Sequence, residues 1–255
     1  MKKEVKRAVG GGGNRTDKLG FTLAEVLITL GIIGVVAAIT LPMFVAKYQE
    51  FVFRAKWKSE YSKIANAFIM TRNELGISDS GEMFSSLADM NSILVEMRKK
   101  LNVKTRRYDP QCGVGANCSN GNGYMDTYKT LRGTKMSPYT FGGYKDVIGD
   151  KRIWDTSGGA TVYFRANDYR NIFLIYIFVD VNGENSAPNV LGKDLFALVL
   201  TPKEACPVGG NCGYCPQDFK NSCTKDREIY GSSNSGMHSG SPISGVGCSA
   251  EVLLK

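Results

Sequence analysis

The sequence predicts an α+β protein. A long N-terminal α-helix, membrane-spanning in its first half and amphipathic in its second, packs on a small antiparallel β-sheet domain with a disulfide-rich C-terminal region. Three observations carry that prediction. An apolar run from Phe21 to Ala46 passes directly into an amphipathic helical pattern. Three β-branched and aromatic runs follow between residues 160 and 202, bounded by Gly, Asn and Pro. Five of the seven cysteines fall in the last fifty residues. At 255 residues, 43% apolar and 22% charged, the chain has room for one or two globular units with a real core, and it is neither a disordered nor a polytopic membrane chain. The formal net charge is +8, but residues 1–20 hold six Lys/Arg against two acids, so half of the excess lies in that first segment. The remainder leans slightly toward anionic partners such as nucleic acid or phospholipid headgroups.

Residues 1–20, MKKEVKRAVGGGGNRTDKLG, are basic, glycine-rich and without apolar periodicity, and read as a cytoplasmic leader. The apolar segment 21–46 follows at once; its 26 residues make a helix of about 39 Å, enough for a bilayer core of about 30 Å. A basic flank ahead of the apolar run predicts a cytoplasmic N-terminus and an exported body. An ordinary secretory signal would have an apolar core of about 7–15 residues and then a small-residue cleavage site, and no Ala-x-Ala stands directly behind this run. An uncleaved anchor leaves Glu25 unexplained, because a carboxylate in lipid is costly. Cleavage between Gly20 and Phe21 accounts for it. The new α-amino group, with a pKa of about 8, stands one helical turn from Glu25. The carboxylate suits a helix N-terminus and compensates the cationic amine of its own or a neighbouring chain, which sets the axial register between subunits.

The stretch KLGFTLAEVLITLGIIGVVAAITLP, residues 18–42, resembles the processing site and N-terminal helix of type IV pilins and type II secretion pseudopilins, a resemblance that covers about residues 18–60. It implies that Gly20 precedes the prepilin-peptidase cut, that Phe21 becomes the N-methylated first residue, and that Glu25 is the assembly glutamate. It further implies that Pro42 bends the helix and that Gly34 is where the helix can loosen in a filament. The leader is longer than the shortest in the family, and Leu19 separates the basic residue from Gly20. Implied partners are prepilin peptidase, other pilin or pseudopilin subunits, an inner-membrane assembly platform and membrane lipid. The implied location is the inner membrane, single-pass, followed by a periplasmic or extracellular filament. On its own physics Pro42 removes a helix hydrogen bond and Gly31 and Gly34 lower helix propensity, so this stretch is either a routine kink or a segment that melts on assembly.

Residues 47–76 form the amphipathic half. Trp57, Tyr61, Ile64, Phe68 and Leu75 recur at helical spacing with Lys and Arg between them. They read as core, and Gly76 as the stop. One continuous helix from about Thr22 to Leu75, roughly 80 Å long, is predicted. The exported globular domain is residues 77–255. Its first element is a helix over 82–101, with Phe84, Leu87, Met90, Leu94, Met97 and Leu101 on one side. A loop-rich stretch to about 158 holds Cys112 and Cys118, a candidate disulfide pair. ATVYFRAN, NIFLIYIFVDV and LFALVLTP read as strands of one antiparallel sheet.

The linker DVNGENSAPNVLGKD supplies hard oxygen ligands at Asp180, Asn182, Glu184, Asn185 and Asp194. It lacks the EF-hand spacing, because the glycine is fourth and the twelfth place is Leu191. Asn-Gly is also a strong turn signal, so turn and calcium loop both stand, and no metal ligand and no cofactor is assigned. The C-x5-C-x2-C-x7-C spacing of residues 206–223 has only one of the two close pairs a zinc ribbon needs, which favours disulfides in an exported body. Cys223 and Cys248 bracket a Ser/Gly-rich loop and are the second candidate pair, resembling the disulfide-bounded C-terminal loop of many pilins. Seven cysteines leave at least one odd. His238, the only histidine, lies in that loop with no orienting partner in the sequence. No phosphate loop, paired-acid motif or histidine-rich site is present, so no enzyme is predicted. The resulting expectation is a structural subunit of a type IV pilus or type II secretion pseudopilus. The alternative is a minor tip pilin that acts as an adhesion or DNA-binding module.

Overall fold

The computed structural model describes residues 20–77, 87–107, 127–136, 153–169, 172–201, 203–211, 217–226, 230 and 243–254. The leader (1–19), Phe84, Cys112, Cys118, Cys212, Cys215 and His238 lie outside them. The chain divides into two units, one ending at Lys47 and the other beginning at Tyr48. Helix α1, Leu23–Glu74, supplies residues to both.

In the first unit α1 runs without interruption through Gly31, Gly34 and Pro42. Its large apolar side chains, such as Leu27, Ile28, Ile33 and Ile39, stand more than half exposed. By length and composition this is a segment able to cross a membrane.

The second unit begins with the rest of α1. Trp57, Ile64 and Phe68 are buried, as their spacing predicts. The helix stops at Gly76, which takes φ +63. Gly76 N donates to Asn73 O at 3.3 Å and Ile77 N to Arg72 O at 3.1 Å, the paired bonds of a Schellman cap. Helix α2, Leu87–Lys100, follows within the span predicted for it.

The sheet has six antiparallel strands in sequential order: β1 Val103–Arg107, β2 Ile153–Thr156, β3 Thr161–Tyr169, β4 Ile172–Asp180, β5 Leu195–Leu200 and β6 Ala205–Pro207. The three central strands sit on the three predicted apolar runs. Strands β1 and β2 correct the expectation of loop structure up to residue 158, and β6 adds a third strand not foreseen. VKTRR carries three cations in five residues and IWDT is only four long, so neither shows apolar periodicity. Their order comes from cross-strand pairing rather than propensity.

The sheet is covered on both faces. Along β4, Ile175, Ile177 and Val179 face a core with Trp57, Phe68, Leu94 and Val252. Leu174, Tyr176 and Phe178 face a second core with Tyr128, Phe219, Ile243 and Val246. Double coverage is why β4 and β5 read as continuous apolar runs without polar alternation. The second face is closed by the short segments 127–136, 217–222 and 243–247. Gly245 allows their close approach: at φ +109, an added Cβ would stand 2.2 Å from Leu191 O.

The C-terminal segment is a short helix, α3, Gln217–Lys220, and a final helix, α4, Cys248–Leu254. Cys223 and Cys248 are joined by a disulfide with Cα atoms 4.6 Å apart, and Cys206 is also disulfide-bonded. The carbonyl of Ser249 accepts from Trp57 Nε1 at 2.9 Å, and the Trp57 ring stacks on Phe196 with centroids 5.1 Å apart.

Candidate functional site

The chemistry of the N-terminal segment rests on its first helical turn. Thr22 is the N-cap of α1: its carbonyl accepts the first helical bond, from Val26 N at 3.2 Å. Its hydroxyl accepts from Glu25 N at 3.2 Å. In return, Glu25 Oε2 accepts from Thr22 N at 2.8 Å and from the Thr22 hydroxyl at 2.7 Å. This is a complete capping box, threonine at the cap and glutamate three residues on. The signal was legible in the sequence as T-L-A-E ahead of an apolar run, and sequence reasoning that attended only to the charge missed Thr22. Gly20 precedes the helix in irregular backbone, and the Phe21 side chain is 88% exposed. The peptide bond between them therefore lies just outside the first helical turn. Among the described residues Glu25 Oε1 accepts no hydrogen bond, so one carboxylate oxygen is committed to the cap and one is open.

The second place singled out in the sequence, 180–194, is built as a set of turns. Asp180 Oδ1 accepts from Asn182 N at 3.1 Å and Gly183 N at 2.9 Å, and its Oδ2 accepts from the Tyr128 hydroxyl at 2.6 Å. Asp194 accepts from Asn189 N and Val190 N, each at 2.7 Å. The Tyr163 hydroxyl lies 3.0 Å from that of Tyr128 and donates to Glu184 Oε2 at 3.0 Å. Both aspartates are fully buried. Desolvation pushes the Asp180 carboxyl up to about 6, with the Tyr128 hydrogen bond opposing it and the charge of Asp194 adding to it. Desolvation also raises Asp194, and it raises both tyrosine hydroxyls well above the ordinary phenol range. The carboxylates of Asp180, Glu184 and Asp194 are thus engaged by backbone N–H groups of the loop and by the hydroxyls of Tyr128 and Tyr163. Among the described residues no group of three or more His, Cys, Asp or Glu is arranged to hold a metal ion.

Residues 15–41 match a family model described as the prokaryotic N-terminal methylation motif. That motif is the type IV pilin and pseudopilin signature, and it encloses Gly20, Phe21, Glu25 and Gly34. The described fold is a long N-terminal helix packed, in its second half, on an antiparallel sheet, and it carries that signature over residues 15–41. The signature implies processing by prepilin peptidase and assembly with other pilin subunits. With the apolar helix it fits membrane anchoring and a filament. No curated protein and no solved structure matches the chain.

Proposed function

We propose that the protein is a structural subunit of a type IV pilus or type II secretion pseudopilus. Prepilin peptidase cleaves it between Gly20 and Phe21 and methylates the new amine, and it polymerises through the first half of α1. The observation that carries this reading is the capped Glu25 at the head of an exposed apolar helix, inside the methylation motif. The cap satisfies one carboxylate oxygen within the chain. The other is left for the cationic amine of a neighbouring Phe21, so a pair of charges that is costly to leave unmatched in lipid fixes how subunits slide against each other. Before assembly the subunit waits in the inner membrane, single-pass, with residues 1–20 cytoplasmic and 77–255 exported. Its work is mechanical, and we assign it no catalytic step and no cofactor. N-terminal mass spectrometry of the membrane-extracted protein tests the reading: the mature chain begins at methylated Phe21. A chain that keeps residues 1–20 in cells containing prepilin peptidase overturns it.

A further inference from the structure

Residues 182 and 183 are an Asn-Gly pair in the connection between β4 and β5. Besides marking a turn, such a pair carries a reaction of its own. In a loose chain the backbone N of Gly183 attacks Asn182 Cγ, because glycine has no Cβ to hinder the approach. The Gly183 N–Asn182 Cγ bond forms and the Cγ–Nδ2 bond breaks. The Gly183 amide proton leaves with Nδ2 as ammonia. Water then opens the cyclic imide, giving aspartate at 182 or isoaspartate with the main chain rerouted through Cβ and Cγ. The folded loop restrains both ends of this reaction. Gly183 N donates to Asp180 Oδ1 at 2.9 Å, and Asn182 N donates to the same oxygen at 3.1 Å. Asn182 Nδ2 donates to Ser186 O at 2.8 Å and to Ala187 O at 3.0 Å. The attacking nitrogen must lose its proton, and a carboxylate beside it opposes that, since like charges disfavour each other. Nδ2, the leaving group, is fixed between two carbonyls, which sets the direction of Cγ. Exclusion of water is not the restraint: Asp155, Thr161 and residues 182–186 line a polar cleft of about 400 Å³.

We propose that Asn182–Gly183 is a deamidation site gated by the fold: Asp180 and the carbonyls of Ser186 and Ala187 hold it unreacted in the closed loop, and it reacts once the loop opens. The mark is one-way. In the product an oxygen replaces Nδ2 and, when ionised, has no proton to give, so it faces the Ser186 and Ala187 carbonyl oxygens without a bond. A further negative charge also joins those of Asp180 and Asp194, both fully buried. A loop that has reacted therefore closes less well than before. Asp180 also accepts from Tyr128, a member of the second core, so the mark weakens the cover of that face of the sheet. This inference rests on the geometry of the turn and does not depend on the filament reading.

The test incubates the full-length chain in detergent, in mildly alkaline buffer, with and without concentrated urea, and follows deamidation by peptide mass spectrometry. Trypsin cuts after Arg170 and Lys193, and the peptide between them holds this Asn-Gly pair and no other. Fragmentation assigns the change to residue 182. The folded chain reacts at least about tenfold more slowly than the chain in urea, the effect of hydrogen bonds to a charged group. Asp180→Ala, shown to be folded by far-UV circular dichroism, speeds the folded reaction at least about fivefold. If that variant does not fold, Asp180→Asn takes its place: it keeps an acceptor without the charge, and a gain of at least about threefold is expected. Tyr128→Phe removes the other partner of Asp180 and leaves both N–H bonds, so its rate stays within about twofold of the parent. After removal of urea, the chain that carries the mark melts lower than unreacted chain treated alike. The proposal is overturned by a folded parent less protected than stated, by a folded Asp180 variant below its stated gain, by Tyr128→Phe reacting as fast as the Asp180 variant, or by equal melting of marked and unmarked chains.

Discussion

Thr22 and Glu25 meet through Glu25 Oε2, and from that sharing two variants separate capping from assembly. Glu25→Ala keeps insertion and cleavage, because a charge leaves the apolar segment and the cut at Gly20 is untouched, but filament recovery collapses at matched expression. Glu25→Gln retains the shape and hydrogen bonding of the cap without the charge, and yields an intermediate amount of filament. Thr22→Val removes the hydroxyl from the capping box, a change of about 1 kcal/mol at a helix start, while Glu25 keeps its charge. It is expected to loosen the first turn, seen as faster amide exchange at residues 23–25, with a smaller loss of filament than Glu25→Ala. Alanine-variant filaments at the parental level would remove Glu25 from the assembly contact. The same scale gives a pH prediction. The folded Asp180 carboxyl stands at about 6, above its unfolded value near 3.8, so protonation favours the folded state. Its contribution is fully present below about pH 4 and is lost as pH rises through 6, on the order of 3 kcal/mol. Thermal melts of the full chain should therefore give a higher Tm at pH 5 than at pH 7, and Asp180→Asn should flatten that difference. Glu25 was legible in the sequence as a charge in an apolar run. The Tyr128–Asp180 contact was not, because 52 residues separate the partners and no local pattern records such a meeting.

Helices and central strands announce themselves when burial repeats along them. The stripe Trp57, Ile64, Phe68 and the run NIFLIYIFVD each did so. Strand β1 gains its place from its register against β2, Arg106 opposite Trp154 and Thr105 opposite Asp155, and pairing of that kind leaves no periodic trace. Helix α4 was hidden for a related reason: seven residues are too few for a helical pattern to declare itself, and its stability is tertiary. It is fastened by the disulfide between Cys223 and Cys248 and by the bond from Trp57 to the Ser249 carbonyl. A cross-link spanning 25 residues stabilises by about 3 kcal/mol through the unfolded chain. Cys223→Ser with Cys248→Ser should lower unfolding free energy by about 2–4 kcal/mol. In a Trp154→Phe background it should also shift Trp57 emission to the red, and unchanged denaturation and emission would show that packing alone holds α4. At this scale Trp57→Ala removes both the stack on Phe196 and the bond to α4, with a loss of about 3–5 kcal/mol.

For the molecule as a whole, the two units present different surfaces to their surroundings. The first keeps its apolar side chains exposed, and the second buries aromatic and aliphatic side chains on both faces of its sheet. Carbonate extraction should leave the full chain in the membrane pellet, and release of intact chain into the supernatant would count against the anchor. A chain that begins at Tyr48 should be recovered without detergent if the second unit carries its own core; aggregation of that piece would show that it needs the first. In the sequence, the pattern changes from apolar to amphipathic near Ala46. That pattern gives no sign that irregular segments cover the far face of the sheet, because close approaches such as Gly245 against Leu191 depend on distant parts of the chain.

The sheet order follows the chain order without a crossover, and this bears on how the molecule is made. Each strand closes against the one that precedes it in the chain, and after the long β1–β2 connection over 108–152 the links are shorter and cost less entropy to close. The second unit can therefore add strands β2 to β6 one after another. The contact between Trp57 and Ser249 spans 192 residues and, like those from Tyr61 to Ala205 and from Arg72 to Lys203, waits for a distant part of the chain. The last fastening of the fold is thereby tied to the arrival of Ser249: a body that lacks it has its sheet but not that bond, and limited proteolysis can tell the two apart.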